Sequence, residues 1–250
     1  MNDPPVNYTK LSYIESAGSQ FIDTGIIPNQ DTRIVLDCVV LDSGNAANGV
    51  GFIPYGSAIS YNNSAFECYS WNGTAQINYD GQYSMQAEIS NGMHVAIDQN
   101  KNTTTIVTPN GVTSLDFEYH PFTCPDTLYL FGSHRGPMYG KQRISSAVIY
   151  QNDIKAREFI PVKTNTGEYG MFDTVWQLFY PNLGTGAFLP GEIEDDLAAV
   201  YIPKITSALI SPNPSSINSN FLISVSANDE MLLISPPYLQ SNEIYSGEAS

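Results

Sequence analysis

Phe21-Ile22-Asp23-Thr24-Gly25 places two apolar residues ahead of an Asp-Thr-Gly, the local pattern of a loop that presents a carboxylate for peptide hydrolysis. That chemistry needs two carboxylates facing each other across one water and sharing a proton. The other candidate, Phe172-Asp173-Thr174-Val175, lacks the glycine that lets such a loop turn tightly, and Ile26 stands where a small residue belongs. The expectation is a strand running into a turn. Asp23 or Thr24 bonds the backbone there, and Gly25 takes a conformation other residues avoid.

Glu192, Glu194 and Asp196 alternate, so on a strand they would share one face. Glycoside hydrolysis in some sandwich enzymes uses such a set, with a protonated acid about 5 Å from an ionised partner. Here the flanks are Gly191 and Asp-Leu-Ala-Ala-Val, without an aromatic strand pattern, and a solvated acidic turn or helix start is expected. His120 and Cys124 are four apart but have no second close pair, so no zinc site is expected. Asp- and Asn-rich loops could hold a structural calcium ion, but no segment has the ordered ligand spacing of a calcium loop. There is no nucleophile elbow, phosphate loop or dinucleotide fingerprint. No catalytic residue, no metal site and no cofactor are expected, and the chain reads as a non-enzyme.

The elements that must position these residues are strands. Runs such as 32–42, 94–112, 126–134 and 143–153 alternate with period two and are rich in β-branched and aromatic residues. Asn72-Gly73, Asp80-Gly81, Asn91-Gly92 and Asn110-Gly111 punctuate them as turns. Only 192–202 offers a short helix. The chain is read as all-β, a sandwich or jelly roll. A boundary is placed near 206, giving a domain over 1–205 and a C-terminal arm over 206–250. Prolines 212, 214, 236 and 237 flank one apolar run in that arm.

The 250 residues suffice for one sandwich with an appendage. A net charge of −15 argues against phosphate-backbone partners, so no nucleic acid is expected, and an anionic membrane surface fits no better. No run reaches the ~18 apolar residues of a membrane span, so no membrane insertion is expected. The start, MNDPPVNYTK, has neither a basic nor an apolar signal region, and its Met1 suggests a small protein in itself. Cys38, Cys68 and Cys124 read as reduced, buried thiols.

Tyr69, Trp71 and Tyr79 lie among polar turn residues in 66–83, where aromatic rings beside Asn and Asp suit the C–H faces of sugars. Strand-face packing is the competing reading of the same three rings. In the arm, Phe221, Leu222, Ile223, Val225, Tyr238, Ile244 and Tyr245 are the candidate partner contacts.

Several segments in order carry a resemblance. Tyr13, Ile14, Ser16, Gly18, Gln20, Phe21, Ile22, Asp23, Thr24 and Gly25 form the opening set. Arg157, Phe159, Ile160, Pro161, Gly170, Met171, Phe172, Asp173, Phe179, Tyr180, Asn182, Gly184, Gly186 and Phe188 form the closing set. Over residues 11–191 the chain resembles the LamG-like, concanavalin A-like jelly-roll domains of phage structural proteins and gut-bacterial surface proteins. The resemblance implies a jelly-roll β-sandwich with a short extended arm, Asp23 and Asp173 as framework residues, and no fixed catalytic residue. The last 45 residues resemble, less specifically, C-terminal segments of phage virion proteins. The implied role is a virion component: capsid decoration or head fibre, neck or tail. Its partners would be other virion proteins, further copies of itself and a host-surface glycan. It would assemble in the host cytoplasm and be exposed after lysis. The alternative is a carbohydrate-binding module or glycosidase-like surface protein of a gut bacterium.

Overall fold

A computed structural model describes residues 8–46, 50–58, 65–134 and 138–194, and the strands Ile205–Ser211 and Leu222–Ala227. Two compact units divide the chain, 1–194 and 195–250. The helix expected over 192–202 falls largely outside the described residues; within them, Ile193 forms an antiparallel bridge with Leu11. No described helix is long and apolar enough to cross a membrane.

The first unit is a β-sandwich of the jelly-roll class. Its larger sheet has thirteen strands, with a path from Gly111–Asp116 through Thr103–Thr108, His94–Asn100, Thr32–Val40, Met138–Gln151, Ile154–Thr164 and Tyr169–Asp173 to Leu178–Pro181. The second has six, in the order Ile22–Asp23, Tyr129–Leu130, Tyr55–Ser57, Phe66–Trp71, Thr74–Tyr79, Gln82–Glu88. All described pairings are antiparallel except that of Val50–Gly51 with Met138–Gln151.

Alternation fixes which way each strand faces. In Thr32–Val40 every second residue is buried, so Ile34, Leu36, Cys38 and Val40 go inward while Arg33 and Asp37 go out. Ile97, Ile144, Ile149 and Phe159 extend that inner layer. Ile22, Leu130, Tyr55, Phe66, Cys68 and Ile77 meet it from the six-stranded sheet. Each such aliphatic or aromatic side chain contributes about 1.5–3 kcal/mol by leaving water. A one-residue slip would turn the whole set outward, and this penalty holds the register.

Turn chemistry sets the hairpins. Asn72-Gly73 and Asp80-Gly81 both have positive φ at the two central positions (48° and 80°, 47° and 83°), the twist that suits two-residue hairpins. The hairpin between Met138–Gln151 and Ile154–Thr164 adopts the same geometry without glycine, at Asn152 and Asp153. Met138–Gln151 is bulged between Ile144 and Ser146 against Thr32–Val40, and at its early end it also pairs with Ile14–Ala17.

In the second unit, Ile205–Ser211 and Leu222–Ala227 pair as a two-stranded ribbon.

Candidate functional site

The two Asp-Thr motifs are architecture. Asp23 accepts the Gly25 N–H at 2.9 Å, and Gly25 takes φ of 69°. Thr24 is fully buried; its hydroxyl donates to the Leu128 carbonyl at 2.8 Å and accepts the Ile26 N–H at 3.2 Å. Asp173, also fully buried, accepts the N–H groups of Glu158 and Val175, each at 3.0 Å, and lies 3.5 Å from Nε of Arg157. A buried carboxylate so bonded offsets its own desolvation and fixes the backbone on both sides.

The opening and closing segments brace each other. Asn182 Oδ1 accepts the N–H groups of Phe21 and Gly184. Gln20 Nε2 donates to the Thr185 carbonyl at 2.8 Å, and Leu183 N–H donates to the Phe21 carbonyl. Gly184 sits where an added Cβ would fall 1.9 Å from the Ser19 carbonyl oxygen, so only glycine fits that approach.

A row of polar and aromatic side chains crosses the outer face of the six-stranded sheet, with its central members Glu67 and Asn78 fully buried. The register aligns Asp23, Tyr129, Gly56, Glu67, Asn78 and Tyr83 in one row across all six strands. Tyr129 stacks on Phe21 with centroids 4.6 Å apart and meets the His134 ring in a tilted contact at 3.7 Å, and Tyr139 continues the stack beyond Phe21 at 5.3 Å. Burial, with Asp23 nearby, raises the Tyr129 phenol above its ordinary range. Glu67 faces away from the core yet is fully buried, accepting from Asn78 Nδ2 at 3.0 Å and Ser133 Oγ at 3.2 Å. Phe131, between Tyr129 and Ser133, is held at φ of 66°, a conformation a bulky residue adopts only when its surroundings impose it. Asp23 and Glu67 lie three strand spacings apart, roughly 14 Å at 4.7–4.9 Å per step. Paired carboxylates in glycoside hydrolysis stand about 5–9.5 Å apart, so these two do not form such a pair.

The three aromatic residues singled out in the sequence separate. Tyr69 and Trp71 share that outer face with Glu67, but Tyr69 is covered, packing with Ala46, Ile53 and Met138. Tyr79 is on the inner face, stacked on Phe117 and edge-on to Phe122. As open ligand contacts, Tyr69 and Tyr79 are therefore corrected: both are interior residues, at 2% and 0% exposure. Trp71 alone remains open, at 38%. Of the arm residues, Leu222, Ile223 and Val225 lie on the ribbon, while Phe221, Tyr238, Ile244 and Tyr245 fall outside the described residues.

The second tryptophan, Trp176, escaped the sequence reading. It occupies the four-residue connection between Tyr169–Asp173 and Leu178–Pro181 and is 61% exposed. The signal available was an indole in the short link 174–177 between two strands.

His120 and Cys124 do not converge on a metal. His120 bonds the Asp80 carboxylate, and the Cys124 thiol donates to the Ser57 carbonyl. Among the described residues no group of three or more His, Cys, Asp or Glu gathers at metal-binding distances. Of the acidic trio, Glu194 pairs with Lys10 at 2.9 Å, Glu192 is exposed, and Asp196 is outside the described residues.

No family model and no curated protein matches this sequence. Among solved structures, one similar in part is a crystal structure of a Bacteroides ovatus protein described in terms of carbohydrate binding. The superposition has a TM-score of 0.43 at 12% identity and covers 76% of this chain. The chain spans 63% of that structure's length.

Proposed function

We propose that this chain is a non-enzymatic structural protein of a phage particle. The sandwich is displayed outward as a lectin-like adhesin for host-surface glycans. Residues 206–250 fasten it to other particle proteins and to further copies of itself, as a capsid decoration, neck or tail component. It assembles inside the host cell and meets the exterior after lysis.

The observation that carries this reading is the contrast between the two units. The first is a braced sandwich whose Asp-Thr motifs are engaged in holding turns. In the second, the described strands pair as a two-stranded ribbon within a stretch, 205–228, without a single Asp, Glu, Lys or Arg. A two-stranded ribbon is marginal by itself in water. Such a ribbon gains stability by adding to a partner's sheet through main-chain hydrogen bonds. In a chain of net charge −15, a neutral segment is where close approach of like copies meets least repulsion.

Incorporation into particles, read by co-sedimentation and electron microscopy, tests the reading with the full chain and with residues 206–250 deleted. The truncated protein is expected to stay folded and soluble and to remain in the supernatant. Normal incorporation of the truncated chain would remove the attachment role.

A further inference from the structure

The side-chain hydrogen bonds that shape the loop carrying Trp176 do not use its indole. Asp173 accepts the Val175 N–H, and Thr174 N–H donates to the Glu158 carbonyl at 2.8 Å. Thr174 Oγ1 donates to Glu158 Oε2 at 2.7 Å, and Gln177 Nε2 donates to the Thr174 carbonyl at 2.8 Å. Gln177 completes the turn at φ of 57°. The connection is specified by these groups, and any polar residue at 176 would satisfy it. An indole there instead leaves a large apolar surface in water, which folding alone does not favour.

The ring is also held still. The Arg157 guanidinium carbon lies 4.9 Å from the Trp176 centroid, a cation–π contact against one face. Arg157 is itself fixed: Nη1 donates to the Ala156 carbonyl at 2.8 Å, Nε donates to the Thr24 carbonyl at 3.3 Å, and the buried Asp173 carboxylate lies 3.5 Å away. Asp173 Oδ2 is buried with no hydrogen bond of its own, so its charge holds the guanidinium in place. One face of the indole is therefore backed by a clamped cation, and its surface is open to a ligand without the ordering cost a mobile side chain would incur.

From this arrangement we infer that Trp176 is the stacking platform of a glycan subsite taking the C–H face of an uncharged pyranose. This rests on the adhesin reading above and names the place where the sugar sits. An apolar ring backed by the Arg157 guanidinium matches a ligand that combines an apolar face with a rim of hydroxyl donors and acceptors. Local charges balance, Arg157 against Asp173 and Lys155 against Glu158 at 3.3 Å. With a net charge of −15 over the whole chain, an acidic sugar gains nothing from the site.

The protein has two tryptophans, so the full-length Trp71→Phe variant reports Trp176 fluorescence alone. Titration would use hexasaccharides of glucose, mannose, galactose and N-acetylglucosamine, with sialyllactose and oligogalacturonate as the acidic probes. A neutral hexasaccharide is expected to shift Trp176 emission saturably, while the acidic probes do not. In isothermal titration calorimetry of the full-length protein, which needs no indole signal, Trp176→Ala is expected to weaken that binding by at least about tenfold with an unchanged melting temperature, and Trp176→Phe to restore part of it. Wild-type binding that survives Trp176→Ala would leave the adhesin reading standing and overturn the subsite. No saturable binding of any of these sugars to the wild type would overturn both. Loss of particle incorporation in Trp176→Ala, with sugar binding intact, would make the indole a protein contact and overturn the subsite.

Discussion

Asn182 Oδ1 accepts the backbone N–H of Phe21 at 3.2 Å across 161 residues of chain, and the same oxygen accepts the Gly184 N–H at 2.8 Å. Its amide nitrogen donates to the Gly186 carbonyl at 2.9 Å, so one side chain closes its own loop and ties it to the first motif. Asn182→Ala leaves those backbone groups to other partners. A loss of about 1–3 kcal/mol is expected, read as a shift in the denaturant midpoint without a change in slope.

The two Asp-Thr motifs should respond differently to loss of their carboxylates. Asp173→Ala removes the acceptor for two N–H groups and leaves the Arg157 guanidinium without its buried partner. A loss of about 3 kcal/mol is expected. Asp23→Ala, at a half-buried turn with one such bond, is expected to cost under ~1 kcal/mol. Equal effects measured by denaturant unfolding would contradict the framework roles given to both.

The three cysteines are free and buried. Burial pushes the Cys124 thiol up to about 12 and lifts Cys38 and Cys68 well above the ordinary thiol range. Thiolate is the reactive form, so the native protein at pH 8 should leave a thiol reagent such as dithionitrobenzoate nearly unconsumed. Denaturation should release three equivalents per chain.

His120 bonds the Asp80 carboxylate, and this hydrogen bond raises its pKa above the ordinary 6.5. A raised folded-state value means the imidazolium form favours the folded protein. That stability is fully present below pH 6.5 and fades as pH rises through the folded pKa. Since the imidazole is partly exposed, solvent screening keeps the effect small. Chemical-shift titration of His120 should give a midpoint above that of the Asp80→Asn variant.

Much of the sandwich was readable from alternation and turn chemistry. Thr32–Val40 buries every second residue as its pattern requires, and Asn72-Gly73 and Asp80-Gly81 turn where their left-handed geometry permits. The candidate face was less readable, because which face of a strand a residue takes depends on register with distant partners. Tyr69 and Tyr79 look alike in sequence but lie on opposite faces of adjacent strands, and burial removes both from the surface. Glu67 illustrates the same limit: nothing in its neighbours along the chain signals a buried carboxylate on the outer side of a sheet. Trp176 was hidden for another reason, since its isolation in a short link has meaning only once the surrounding bonds show that the loop does not need it.

The pairing of early residues with late ones bears on how the nascent chain matures. Among the described residues, Tyr8–Lys10 pairs with residues 162–164, and Ile14–Ala17 with residues 141–144 and 189–190. While the ribosome is still making the middle of the sandwich, these first strands have no edge to join. Their apolar side chains must wait in solution, where a chaperone would shield them from neighbouring chains.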